Sequence, residues 1–230
     1  MTTRAEKGTS PGFYRLLAWL SPGFPIGAFS YSHGLEAAVA GGTVHDRASL
    51  ETWTAAVVVH GSGRMDADIL CTAHRAACAL DRAALDAANR RGIAFRATAE
   101  LALEAGQQGE AFLATCRAAW PEPFIADWAV EGVCHSAVFG AVAGRAGIAL
   151  ADALVGYLQA LAANLVSAGL RLGIIGQTDG QRILSALEPA VGRAAAAAMT
   201  RDPSDFGAAT FAVDLASMVH ETQYTRLFRS

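Results

Sequence analysis

Residues 153–170 read ALVGYLQALAANLVSAGL, eighteen consecutive positions without a charge. Leu154, Leu158, Leu161 and Leu165 form one stripe at helical spacing, and Val155 and Val166 widen it towards a second face. A helix that is apolar on more than one face lies either in a bilayer or at the centre of a bundle. The segment is at the short limit for a span, contains Gln159 and Asn164, and is bracketed by Asp152 and Arg171. It is therefore expected to be a central bundle helix, with other helices packed around it.

The rest of the chain supplies them. Helical periodicity dominates, and the longest β-branched run is the VVV of residues 57–59. Helices are expected near 11–20, 30–40, 47–62, 65–79, 82–91, 97–118, 127–145, 149–173, 178–199 and 207–228. Gly41-Gly42 closes one of them, and Pro121-Glu122-Pro123 makes a rigid loop. Thr178 to Gln181 has the form of a capping box, and Asp202-Pro203 fits the entry to the last helix. Pro189 should kink or restart its helix. The pairs Gly140/Gly144 and Gly169/Gly173 would let helices approach closely. No linker or repeat divides the chain. The expected fold is all-α, a single-domain bundle of about nine to ten helices over residues 13–230, after a flexible polar tail of residues 1–12.

Composition narrows the function. Hydrophobic residues make up 53% of the chain and charged ones 17%, where soluble domains are usually about a quarter charged. So few charges leave apolar surface for a partner or a second copy to cover. A net charge of −3 without a basic run argues against nucleic acid. The N-terminal MTTRAEKGTS lacks the apolar stretch of a signal peptide, which points to the cytoplasm and to four reduced cysteines. The one lysine, Lys7, lies in no G-x-x-x-x-G-K-[ST] string, so no Walker motif exists here.

Candidate chemistry is sparse. SPGFPIGAFSYSHGLE, residues 21–36, contains Ser32-His33-Gly34, yet Ser30 stands where a nucleophile elbow has its first glycine and no buried strand precedes it. Cys71, His74 and Cys78 share a helical face and could ligate a soft metal in a small helical enzyme; core packing is the competing interpretation. Cys134-His135 is a poorer pair, since adjacent helical residues point about 100° apart. Glu100 and Glu104 are expected on a solvated face. At the C-terminus, VHETQYTRLFRS combines aromatic, aliphatic and arginine side chains as interface hot spots do. Residues 219–230 are therefore expected to dock on, or be ordered by, a partner, with packing on the chain's own bundle as the alternative.

SPGFPIGAFSYSHGLE, EAGQQGEAFL at 104–113, NLVSAGLRLGIIGQTDGQ at 164–181 and HETQYTRLFRS at the end together resemble the urease accessory protein F family. The likeness runs in order from about residue 13 to 230, and departs where the family pattern would have a proline near Ile174. The resemblance implies an all-α homodimer without catalytic residues or a cofactor of its own. It implies binding to the D- or H-type accessory protein, recruitment of the nickel-carrying G-type GTPase, and docking on apo-urease. GTP hydrolysis would thereby be coupled to nickel delivery, with the nickel handled by the complex. It places partner contacts at Phe29, Tyr31, His33 and Glu36 and at His220, Gln223, Tyr224, Arg226 and Arg229. Glu221 belongs to the same motif, and Gly27 and Gly34 would shape the backbone.

Overall fold

The computed structural model describes residues 11–230; the expected tail lies, up to residue 10, outside the described residues. Among the described residues there is no strand. The helices are α1 (Pro11–Trp19), α2 (Leu35–Ala40), α3 (Arg47–His60), α4 (Ser62–Cys78), α5 (Arg82–Ala94), α6 (Ala99–Ala119), the single turn α7 (Pro123–Ala126), α8 (His135–Arg145), α9 (Leu150–Arg171), α10 (Gln177–Thr200) and α11 (Phe211–Glu221). Two 3₁₀ turns, Ala28–Ser30 and Pro203–Asp205, complete the set.

Helix starts follow local chemistry. Asp46 accepts from the Ser49 amide while Ser49 reaches back, a reciprocal cap at α3. Asp81, Thr98 and Glu122 each accept an amide at the starts of α5, α6 and α7. The 178–181 capping box does not form: α10 begins two residues earlier, behind Gly176, without a side-chain cap. Asp202 caps the 3₁₀ turn rather than the last helix.

α9 packs against α10, α3, α4 and α8, as a central helix should, with Leu154, Leu158 and Leu165 fully buried. The tightest pairing joins α4 to α8. Gly140 makes it possible: a Cβ there would sit 2.6 Å from the Leu70 carbonyl oxygen, and one on Gly144 would sit 2.7 Å from that of His74. Gly169 instead makes room for the end of the Leu50 side chain, and Gly173 has no close neighbour; its φ of 75° ends α9 in the left-handed region. That turn replaces the proline expected near Ile174.

Three expected helices are shorter than their apolar spans. α2 starts at Leu35 because His33 (φ 58°) and Gly34 (φ 77°) are both left-handed. Residues 127–134 are a loop, held by Trp128 Nε1 donating to Asp86 (2.8 Å) and by Asn89 bridging Gly132 and Cys134. α11 stops at Glu221, and the chain then turns back across the bundle. Pro189, by contrast, interrupts nothing. It and Ser185, whose carbonyl loses its partner amide, are both exposed, so the carbonyl is open to solvent and α10 continues.

Candidate partner-docking site

The two motif-bearing ends of the chain meet. Phe24 anchors the first against Phe112 and Trp120. The left-handed Gly27 then opens the 3₁₀ turn that lifts Phe29 into solvent, 67% exposed. Tyr31 points inward, its hydroxyl bonded to Gln107 and its carbonyl accepting from Asn164. Gly34 lies against α11 so closely that a Cβ would stand 2.9 Å from the Ser217 amide nitrogen. Thr98 and Ser217 exchange a hydroxyl hydrogen bond at 2.7 Å on the same seam.

Three buried carboxylates, Glu36, Glu100 and Glu104, receive the C-terminal segment. Glu36 accepts from the backbone amides of Leu227 (2.7 Å) and Phe228 (2.9 Å) and faces His220 Nε2 at 3.1 Å. Glu100 faces His220 Nδ1 at 2.7 Å and pairs with Arg226 at 3.0 Å. Glu104 accepts from the Ser230 hydroxyl (2.9 Å) and Gln108 (3.2 Å). Ser32 donates its amide and its hydroxyl to the Ser230 carbonyl, and the Arg229 amide donates to Ser30. Phe228 is buried beneath the Arg171 guanidinium. Each buried carboxylate thus meets several donors, the condition under which buried charge is tolerated.

This arrangement divides the expected contact residues. Phe29, Tyr224, Arg226 and Arg229 reach solvent, and Gln223 is partly exposed, bonded to the Thr225 carbonyl. Tyr31, His33, Glu36 and His220 are buried, Glu36 receiving the C-terminal segment directly while His33 borders a cleft beside Ser62. The solvated face expected for Glu100 and Glu104 is likewise replaced by burial. The segment packs on its own bundle, the alternative weighed from the sequence.

α11 itself is inverted relative to an ordinary amphipathic helix. Val213, Ser217 and His220 face inward, while Phe211 (79% exposed), Leu215, Met218 and Val219 face solvent. Together with Leu227 and Tyr224 these make an uncovered apolar surface at the C-terminal end. The sequence shows the apolar period but not which face turns inward. That choice follows from Glu36 and Glu100, which reward a buried histidine.

The cysteine–histidine row on α4 belongs to the packing. Cys71 joins the core, and burial pushes its thiol up to about 11. His74 bonds to the Ile148 carbonyl through Nε2 (2.8 Å), and its Nδ1 faces the Cys78 sulfur at 3.7 Å. Among the described residues no three His, Cys, Asp or Glu side chains gather as a metal site, and all four cysteines are free. His135 packs against Phe112, Phe139 and Tyr157, and burial lowers it to about 4. Beside it Asp66 pairs with Arg96 at 2.7 Å. Burial works to raise the Asp66 carboxyl, and the arginine's charge and hydrogen bond outweigh it, holding the group below its ordinary value.

Known proteins are similar in sequence over nearly the whole chain. The profile of the UreF family matches residues 44–188. A urease accessory protein UreF from Granulibacter bethesdensis is 48% identical over 94% of this chain and 93% of its own length. Proteins of the same name from Rhodopseudomonas palustris (47% identical, 96% of this chain, 92% of that one) and Azorhizobium caulinodans (46%, 99% and 100%) are similar throughout. With matches of this length and identity, the chain belongs to the UreF family.

Proposed function

We propose that this protein is a cytoplasmic urease maturation factor that works through its surfaces. It pairs with a second copy, binds the D- or H-type accessory protein, and recruits the nickel-carrying GTPase. The assembled complex couples GTP hydrolysis to delivery of nickel, the cargo, into apo-urease. Near-full-length similarity to proteins named urease accessory protein UreF carries this reading. The exposed apolar face of α11, continued by Tyr224 and Leu227, supports it, because a protein of this composition has few charges with which to solvate such a surface.

An adaptor of this kind acts by differential affinity: its surface binds one state of the GTPase better than the other and shifts the population accordingly. Ordering of residues 222–230 by the three carboxylates would present Tyr224, Arg226 and Arg229 in a fixed arrangement, lowering the entropy cost of docking. The test is co-expression with the D-type protein, the GTPase and apo-urease, followed by pull-down and sizing. Tyr224→Ala combined with Leu215→Arg should leave the chain folded and strip it of partners. Unchanged complexes would overturn the reading. Truncation after Val219 is a poorer probe, since it removes His220 and Arg226 and leaves buried Glu36 and Glu100 without donors.

A further inference from the structure

Away from the exposed face of α11, the fold brings the start of α4 against the turn at His33. Ser62 opens α4 between Gly61 and Gly63, and its hydroxyl lies 2.8 Å from Nε2 of His33. On the other side of the ring, Nδ1 lies 3.2 Å from Oε2 of Glu104. The order carboxylate–imidazole–hydroxyl is that of an activated serine. A carboxylate accepts only, so Nδ1 carries the proton and Nε2 is left to take one from Ser62. Gln108 and the Ser230 hydroxyl hold Glu104 from behind.

The surroundings fit the same chemistry. Ser62 and His33 line a cleft of about 290 Å³ whose apolar lining includes Met65, Phe95, Leu101 and Val213. Ser62 is the first residue of α4, so the positive end of that helix's dipole lies at it, while the Arg64 and Met65 amides are taken by the Gly61 carbonyl. Negative charge developing at this point is stabilised there. His33 is also one of only two described non-glycine residues with a positive φ. Such a conformation is strained and persists where the surrounding structure fixes the side chain's placement.

We propose that Ser62 is a nucleophile towards short-chain carboxylic esters, with His33 as its general base and Glu104 as the positioning residue that orients the imidazole. Ser62 Oγ attacks the ester carbonyl carbon and its proton passes to His33 Nε2. The bond to the alkoxy group breaks, and the departing alcohol takes that proton from His33. Water then attacks the acyl-serine, losing a proton to His33; the Ser62 Oγ–acyl bond breaks, the acid leaves, and Ser62 Oγ takes the proton back from His33. The reaction consumes one ester and one water and yields one acid and one alcohol. The linear sequence excludes an elbow at Ser32, yet the fold supplies His33 with a different serine, 29 residues on.

The experiment treats the purified full-length protein with a fluorophosphonate probe and locates the adduct by mass spectrometry, alongside hydrolysis of p-nitrophenyl acetate and butyrate. The expected result is one adduct on Ser62, absent in Ser62→Ala. His33→Asn, chosen because asparagine tolerates a positive φ, should slow adduct formation about 100-fold, the scale of a lost general base. Glu104→Gln should slow it by a smaller factor with the far-UV spectrum unchanged. Were His33→Asn to misfold, the wild type against Ser62→Ala still decides. A folded wild type that takes no label on Ser62, or labelling as fast in folded His33→Asn, overturns the proposal.

Discussion

Replacing Glu36 by glutamine tests the carboxylate socket at its centre. One oxygen of Glu36 accepts from the Leu227 amide; the other accepts from Phe228 and faces His220. Glutamine keeps the size but has a single acceptor oxygen. Whichever way the amide turns, its NH₂ stands against a backbone N–H of Leu227 or Phe228. A hydrogen bond to a charged group contributes about 1.5–3 kcal/mol, and an abandoned buried donor costs about 1–3 kcal/mol. Since the two figures overlap in what they count, about 3 kcal/mol is expected. The loss should fall on local opening of residues 222–230 rather than on the whole bundle, because Glu36 ties that segment and not the α4–α8 core. At about 1.4 kcal/mol per tenfold, amide exchange at Leu227 and Phe228 should accelerate on the order of 100-fold. Hydrogen exchange of peptides spanning 222–230, read against peptides from α4 and α8, measures it. Unchanged exchange at 227 and 228 would refute the claim that this carboxylate holds the segment.

Two further outcomes follow from the interior. Gly140→Ala places a Cβ against the rigid Leu70 carbonyl, which no side-chain rotation can relieve; a loss of about 2 kcal/mol or more, read as a Tm lower by about 4–8 °C, is expected. Burial lowers His135 to about 4 from 6.5, so the unfolded chain takes up this proton first. Its contribution is complete above pH 6.5 and lost as pH falls towards 4, on the order of 3 kcal/mol in all. His135→Phe, which keeps the ring packing, should flatten that part of the Tm–pH curve.

Much of the architecture was legible because helix caps, breakers and apolar period are local signals. The uncharged 153–170 stretch identified the central helix, and Gly140/Gly144 identified its neighbours' closest contact. What escaped is what depends on partners distant in sequence. Glu100 and Glu104 have the i,i+4 spacing of a solvated face, and only the return of residues 220–230 makes a buried position tolerable. Pro189 looks like a break until Ser185 is found facing water. The sequence marks the motif residues at the two ends as partner contacts; that the two ends meet each other is visible only in the fold. The sequence could not divide these residues into buried (Tyr31, His33, Glu36, His220) and exposed (Phe29, Tyr224) ones, because that division is set by the left-handed turn at His33-Gly34 and the return of the chain after Glu221.

The central claim, that the protein matures urease by docking, is tested most directly by nickel-dependent urease activity in cells carrying the full set of accessory proteins and this chain as wild type or as Tyr224→Ala/Leu215→Arg. Both altered side chains are exposed, so soluble yield and Tm should stay close to wild type. The account predicts that the variant loses partner association and that urease accumulates without activity. Full urease activation by the folded variant would contradict it.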